Sequence, residues 1–508
     1  MTASDLAASG LIGDVRDHRK VAHLIAAELR RRIVRGEIAA ESTLPSEVEL
    51  TTMFSASRET VREAMAVLAS ESLIRVKRGR GGGALARRPD LEAASRYASL
   101  LMQVADVTSA QLHEAKALVE RPAAAMVASR RVAGSVDALS LAHDRELATL
   151  GSPLEFLEAL GQFDRSVVEL SGNRSLATFA GVLSEMFAAQ LHACTGTSGF
   201  ASFARRVNRC HGDYLDAVRR RDGVAGSEVW ATYVEEVLAS LSQPDDRIDV
   251  VPWWRARRER TGSSGTARIA THIETTIRSQ IAQGKLTQGD SLPSVPELAI
   301  QFDVSRPTMR EALRVLEAER LVMLRPGART GPVVRDPSAS VAATLAGIVL
   351  ESNGATFADL LEARTLVEPE IMGRSALRVD PSRLALLRDI CDDVALSTEQ
   401  SALSVRRSME FRFAALTASA NPALLLVLEI IRRQAAGSLD AFAATAADMP
   451  WDESVHRRVH AAYVEVTDAL EAGDAARAAS AWRRHLKRTS PFFRSRLGDR
   501  LIVDLIDY

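Results

Sequence analysis

Along most of the chain, apolar residues recur at three- and four-residue steps among Ala, Leu, Arg and Glu, most regularly over 98–240 and 338–488. That spacing predicts amphipathic helices with one face turned to a core. Two short stretches break the period. LIRVKRGRGGGALA (73–86) and LVMLRPGARTGPVV (321–334) each set two short apolar runs around a glycine-containing turn, which predicts a β-hairpin. Before the first hairpin come a helix, HRKVAHLIAAELRRRIVRGEI, and then two shorter ones, LPSEVELTTMF and SRETVREAMAVLASESL. The two short segments, joined by a tight turn, predict a helix-turn-helix. Ser57 and Ser305 stand where N-caps belong, Pro307 is tolerated in a first turn, and Arg58 and Arg62 share one helix face.

The pattern is written twice. VSRPTMREALRVLEAERLV (304–322) repeats ASRETVREAMAVLASESLI (56–74), so that Arg306 follows Arg58, and Arg310 follows Arg62, by 248 residues. The same offset joins LPSEVEL to LPSVPEL, HEAKALVER to LEARTLVEP, and ELSGNRSL to TASANPAL. By LDAVRRRD and TDALEAGD it has grown to 252, which puts a small insertion between about 177 and 463 in the second copy's count. A period this long is a tandem duplication of a two-domain unit, not a solenoid.

The predicted fold is therefore mainly α: two winged helix-turn-helix domains with small β-hairpin wings, at 14–88 and 266–336, and two all-α helical bundles, at 95–245 and 340–492. The polar stretch RARRERTGSSGTA (255–267) separates the copies, and the segment 246–265 is read as a linker.

Composition narrows the function classes. With 46% apolar and 25% charged residues the chain is that of an ordinary soluble globular protein. Its best apolar run, VAATLAGIVL (341–350), is too short to span a bilayer, and the opening residues do not read as a secretory signal, so no membrane partner is expected. Cys194, Cys210 and Cys391 show no paired spacing, which fits free thiols and a cytoplasmic location. A net charge of −1 gives no global attraction to nucleic acid, so any such binding must come from local basic patches.

The run LPSEVEL…SRETVREAMAVLASESLI…GRGGG resembles the winged helix-turn-helix of the GntR family of bacterial transcription regulators, and the second copy fits as well. The helical unit that opens LLEARTLVEPEI resembles the effector-binding (FCD) domain of the FadR subfamily. The resemblance implies that Arg58, Arg62, Arg306 and Arg310 enter the major groove of operator DNA, with Ser57 and Ser305 at the helix starts, Thr60 and Thr308 on phosphates, and Arg314 on the second recognition helix. It also places Arg78, Arg80 and Gly81 in the first wing, and Gly327 and Arg329 in the second, near the minor groove. One departure stands out. The family usually has Glu-Arg after LPS, whereas this chain has Glu47-Val48 and Val295-Pro296, so a DNA-contacting arginine is missing from both copies.

FadR-type domains typically hold a divalent metal with an Asp, a His four residues on, and two later His. By that mapping the first copy offers Leu160, Asp164, His211 and Tyr233, and the second Ser408, Arg412, Tyr463 and His485. Too few donors remain, so no metal and no cofactor are expected. Two unlike pockets are expected instead. Lys116, Asp164, His211 and Tyr233 form a set of mixed sign, which could equally be internal ion pairs filling a dead cavity. Arg364, Arg412, Tyr463 and His485 suit a carboxylate or phosphate. His456 and His460 read as surface residues.

These expectations describe a sequence-specific repressor whose DNA affinity responds to a small organic acid or other anionic metabolite, and whose single chain forms its own pseudo-dimer. Whether two chains associate further stays open. The two recognition helices differ, Glu59 against Pro307 and Ala66 against Arg314, so the half-sites are not expected to be perfect inverted repeats. A DNA-bound scaffold with degenerate pockets is the competing reading. An all-α enzyme is a third, though no Ser-His-Asp arrangement, phosphate loop or carboxylate pair stands out and no catalytic residue is assigned.

Overall fold

The computed structural model describes residues 18–71, 73–77, 83–88, 90–130, 133–238, 243–260, 266–324, 331–396, 401–445 and 453–505. The first winged unit comprises α1 (His18–Arg35), α2 (Glu47–Phe54), α3 (Arg58–Ser70) and an antiparallel pair, β1 (Ile74–Lys77) with β2 (Gly83–Ala86). Ser46 and Glu49 close a reciprocal capping box at the start of α2, and Ser55 turns the chain in the left-handed region (φ 51°). Leu29 and Ile33 of α1, Leu50 of α2, and Val61, Ala64 and Leu68 of α3 are fully buried, so each helix turns its apolar stripe into one small core.

The first bundle contains α4 (Leu91–Val104), α5 (Ser109–Ser129), α6 (Ser135–Ala148), α7 (Pro153–Leu170), α8 (Arg174–Ala193), α9 (Phe200–Arg220) and α10 (Gly223–Thr232). The last of these widens into a π turn over Tyr233–Leu238.

The segment read as a linker is ordered for much of its length: α11 (Val251–Arg260) lies in it. Trp253 and Trp254 are buried, and Trp253 Nε1 donates to Glu185 Oε2 of α8 at 2.7 Å. The arginines suggested a solvated tether, but the preceding VVPWW supplies enough apolar surface to dock a helix on the bundle.

The second winged unit repeats the first as α12 (Thr266–Ala282), α13 (Val295–Gln301), α14 (Arg306–Ala318), β3 (Val322–Met323) and β4 (Val333–Val334). The second bundle follows as α15 (Ala339–Ser352), α16 (Phe357–Ala376), α17 (Pro381–Leu396), α18 (Ser401–Thr417), α19 (Pro422–Thr445), α20 (Glu453–Glu471) and α21 (Ala475–Leu497), with a 3-10 turn over Ile502–Asp504.

The bundles pack on each other through reciprocal contacts. Asn173 Nδ2 donates to Asp359 O and to Glu362 Oε2, both at 3.0 Å; Asn421 Nδ2 donates to Gln111 O at 2.9 Å and Glu114 Oε2 at 2.8 Å. Arg130 pairs with Glu362 at 2.7 Å, and Arg378 with Glu114 at 3.0 Å. Every partner is matched by the residue 248 positions away, the signature of a surface that is self-complementary about a two-fold axis.

The winged units cross over. α1 packs on α15 of the second bundle, Ile348 and Val503 join the first winged core, and Arg30 reaches Glu351 at 2.8 Å. α12 packs on α4 of the first bundle, where Gln103 Nε2 donates to Ala282 O at 3.2 Å.

Candidate functional site

On α3 the positions facing away from the core are Arg58, Arg62 and Ala66, all exposed; on α14 Arg306 and Arg310 are exposed and Arg314 is half-buried. Both helices are capped alike. Thr60 N donates to Ser57 Oγ at 3.1 Å and Thr308 N to Ser305 Oγ at 3.3 Å. This cap satisfies one orphan amide at each N-terminus and leaves the positive end of the helix facing outward.

Thr60 departs from the expectation of a phosphate contact. It is 3% exposed, with its hydroxyl 2.8 Å from Ser57 Oγ, because it adjoins the buried face that begins at Val61. Thr308 is half-buried in the same arrangement. Arg62 Nε lies 3.0 Å from Glu47 Oε2, with both side chains largely exposed. Such a pair is worth at most about 1 kcal/mol, so phosphates or base edges can take Arg62 from it. Val48, where the family usually carries arginine, is 58% exposed. α3 and α14 approach one another, which brings the two basic helices to one side of the molecule. Arg78, Arg80, Gly81, Gly327 and Arg329 lie outside the described residues.

The first bundle brings its expected residues together. Lys116 Nζ of α5 is 2.7 Å from Asp164 Oδ2 of α7 and 2.7 Å from Glu120 Oε1 one turn further on. Tyr233 Oη donates to Asp164 at 3.0 Å. His211 Nδ1 is 2.6 Å from Glu146 Oε2, and its ring stacks on Phe163 with centroids 4.0 Å apart. Burial works against the Lys116 ammonium, but Asp164 and Glu120 outweigh it and the net shift is upward. Glu120 is pushed up to about 7, chiefly by burial. Lys116, Glu120, Asp164 and Leu160 line a cavity of about 860 Å³.

The second bundle keeps the same positions with different charges. Glu368 Oε1 receives Arg364 Nε at 2.8 Å and Arg412 Nη2 at 2.9 Å, and Trp482 Nε1 donates to Glu368 Oε2 at 3.0 Å. Tyr463 stacks on Phe411 at 4.1 Å, and His485 lies against Trp482 at 4.9 Å. Burial raises the Glu368 carboxyl, but Arg364 and Arg412 reverse this and hold it below its ordinary value. Burial, followed by the Arg364 charge, pulls His485 down to about 4. Burial also lowers Arg412 to about 10.

Neither set of residues fits a divalent metal. In the first bundle an ammonium already occupies the Asp164 carboxylate and a phenol stands in place of the last imidazole; in the second, Ser408 stands where the carboxylate would be and the Arg412 guanidinium where the first imidazole would be. Glu120, Glu146 and Glu368 were not anticipated. The signal for two of them was present: Lys116 with Glu120 and Arg364 with Glu368 are cation–acid pairs four residues apart, repeated at the 248 offset.

Comparison with known proteins agrees with this geometry. The model of bacterial regulatory proteins of the gntR family matches residues 22–82 and 269–331, and that of the FCD domain matches 111–236 and 359–488. The chain is similar to the HTH-type transcriptional repressor NanR of Salmonella newport (strain SL254), at 24% identity over 251 residues, covering 48% of this chain and 93% of that protein. NanR of Salmonella typhi matches at 24% identity, with 48% and 92% covered. Among solved structures, Streptococcus agalactiae GntR matches at 20% identity, 43% of this chain, 99% of its own and a TM-score of 0.33. Escherichia coli McbR/YncC matches at 16% identity, with 45% and 97% covered and a TM-score of 0.24. A full-length NanR thus corresponds to one of the two copies. With both models matched twice in the same order, the chain belongs to the gntR family of bacterial regulatory proteins and is a transcription regulator with two DNA-binding domains and two FCD effector domains.

Proposed function

We propose that this regulator is a cytoplasmic repressor that binds a two-part operator as a single chain, its copies acting as the two halves of a dimer. The reciprocal Asn173 and Asn421 contacts carry this reading, since they are what an interface between two identical subunits would contain. Covalent joining makes engagement of the second half-site intramolecular, so one chain gains avidity that separate subunits reach only at higher concentration. Arg58, Arg62, Arg306 and Arg310 read base edges, and the differences at positions 59 and 307, and 66 and 314, make the half-sites unlike.

The effector is an anionic metabolite held in the second bundle. There two guanidiniums face one carboxylate, which leaves a net positive charge in a buried setting. The closed Lys116–Glu120–Asp164 cluster favours a structural role for the first pocket.

The test is selection of bound duplexes from a random library, followed by stoichiometry at fixed salt. The expected product is a bipartite motif bound by one chain. Arg62→Ala and Arg310→Ala should each cost about 1–3 kcal/mol and relax specificity in only one half. A strictly palindromic site that needs two chains would refute the single-chain reading.

A further inference from the structure

A second kind of cavity, of about 1260 Å³, lies between the bundles, walled by α5 of the first copy and by α16 and α21 of the second. Its two long walls repeat each other: Leu118 lines one where Leu366 lines the other, and His113 stands opposite Leu361 in the same sense. It therefore sits on the axis that relates the copies, and Lys116 and Arg364 take no part in its lining.

α21 breaks that symmetry. Lys487 and Arg494 line the cavity at its exposed mouth, while the position equivalent to Lys487 in the first copy is Glu235. From the other wall comes Arg121, whose Nε donates to Ser227 Oγ at 3.0 Å. Among the described residues none of these three cations has a carboxylate partner. The neighbouring charges are matched, Arg374 with Glu114 at 3.0 Å and Arg483 with Glu370 at 2.6 Å. Glu362, which also lines the cavity, is paired with Arg130 at 2.7 Å, so the described lining offers these three cations against the remaining carboxylate of Glu235, above an apolar wall of Leu118, Leu361 and Leu366.

We propose that this junction cavity is a third ligand site, taking a small amphipathic anion: a carboxylate, sulfonate or phosphate on an apolar body. An apolar wall with a few charged groups of one sign is what orients such a ligand, and partial exclusion of water strengthens the attraction over that at an open surface. The site is also wired to one DNA-binding unit. After α21 the chain is tied back to α16, with Phe357 N donating to Arg500 O and Ala358 N to Gly498 O, both at 3.0 Å. It then enters the 3-10 turn, where Val503 is part of the first winged core and Asp504 pairs with Arg35. A ligand that draws on Lys487 and Arg494 acts at the near end of that path, so its effect falls first on the half-site read by α3.

The experiment uses the intact chain and 1-anilinonaphthalene-8-sulfonate, an apolar anion that fluoresces out of water. One saturable site per chain is expected, weakened about tenfold or more by the charge reversals Lys487→Glu and Arg494→Glu combined. Both residues are exposed, so the variant should melt as the native chain does. Thr365→Trp, which narrows the cavity beside its apolar wall without changing charge, should also weaken the dye. The uncharged N-phenyl-1-naphthylamine should bind the native chain no better than it binds the reversed one. Absence of a saturable site, or a site that all three substitutions leave untouched, would overturn the proposal.

Discussion

The two bundles descend from one unit, yet their buried polar clusters have opposite balances. In the first, one cation is shared between two carboxylates, Glu120 and Asp164, with Glu146 close by on His211; in the second, one carboxylate, Glu368, is shared between two guanidiniums. Both solve the same problem, since an ion taken out of water must be paired and hydrogen-bonded. The surplus differs in sign. In the first cluster burial, and after it the Asp164 charge, push Glu120 up to about 7, so that it can hold a proton near neutrality. A guanidinium does not readily give up its proton, so the second keeps its positive charge. Duplication has let one scaffold hold a site of each polarity.

The sharpest way to break this contrast is to remove the shared carboxylate. Glu368→Gln leaves two buried guanidiniums without a counter-ion and should cost about 3–5 kcal/mol in denaturant unfolding. Glu120→Gln should cost about 1 kcal/mol or less, because Asp164 still holds Lys116. Equal losses would mean that the clusters are not opposite in kind.

Acid titration sharpens it next. An unfolded His485 takes a proton near 6.5, whereas the folded one waits until about 4. The folded pKa is the lower of the two, so this residue's contribution is intact above 6.5 and is lost as the pH falls from 6.5 toward 4. The stability difference between the native chain and His485→Gln should therefore shrink by about 3 kcal/mol across that window. A flat difference would show that the imidazole is not held neutral.

The smallest effect concerns the turns that precede α8 and α19. Gly172 has φ 75°, and its counterpart Ala420 is held at φ 52°. Gly172→Ala should destabilise by about 1 kcal/mol, and Ala420→Gly should stabilise by about 0.5 kcal/mol, as read by thermal melts.

Much of this was legible in the residues. The 248 offset, the SRETVRE and SRPTMRE helices and the hairpins gave the order of domains, because helical and strand periodicities are local. The proximity of Lys116, Asp164, His211 and Tyr233, though not their role, follows from their positions in the repeat. What escaped was of two kinds. Glu120, Glu146 and Glu368 serve as counter-ions, and a lone Glu on a helix reads as solvated until its neighbours across the bundle are known. The docking of each winged unit on the other copy's bundle left no mark, because Arg30 with Glu351 and Gln103 with Ala282 are separated by most of a domain or more. Asn173 and Asn421 hold matched places in the repeated ELSGNRSL and TASANPAL stretches, where a lone Asn reads as a turn residue, though their amides hold the copies together.

Val503 in the core of the first winged unit has a bearing on how the protein is made. A ribosome delivers residues in order, at ~5–20 per second. Residues 18–88 leave it long before residue 503 does, so tens of seconds pass during which the first DNA-reading unit lacks both Ile348 and Val503 from its apolar centre. Through that interval its apolar surface stays partly uncovered, and the unit that emerges first is among the last to be finished.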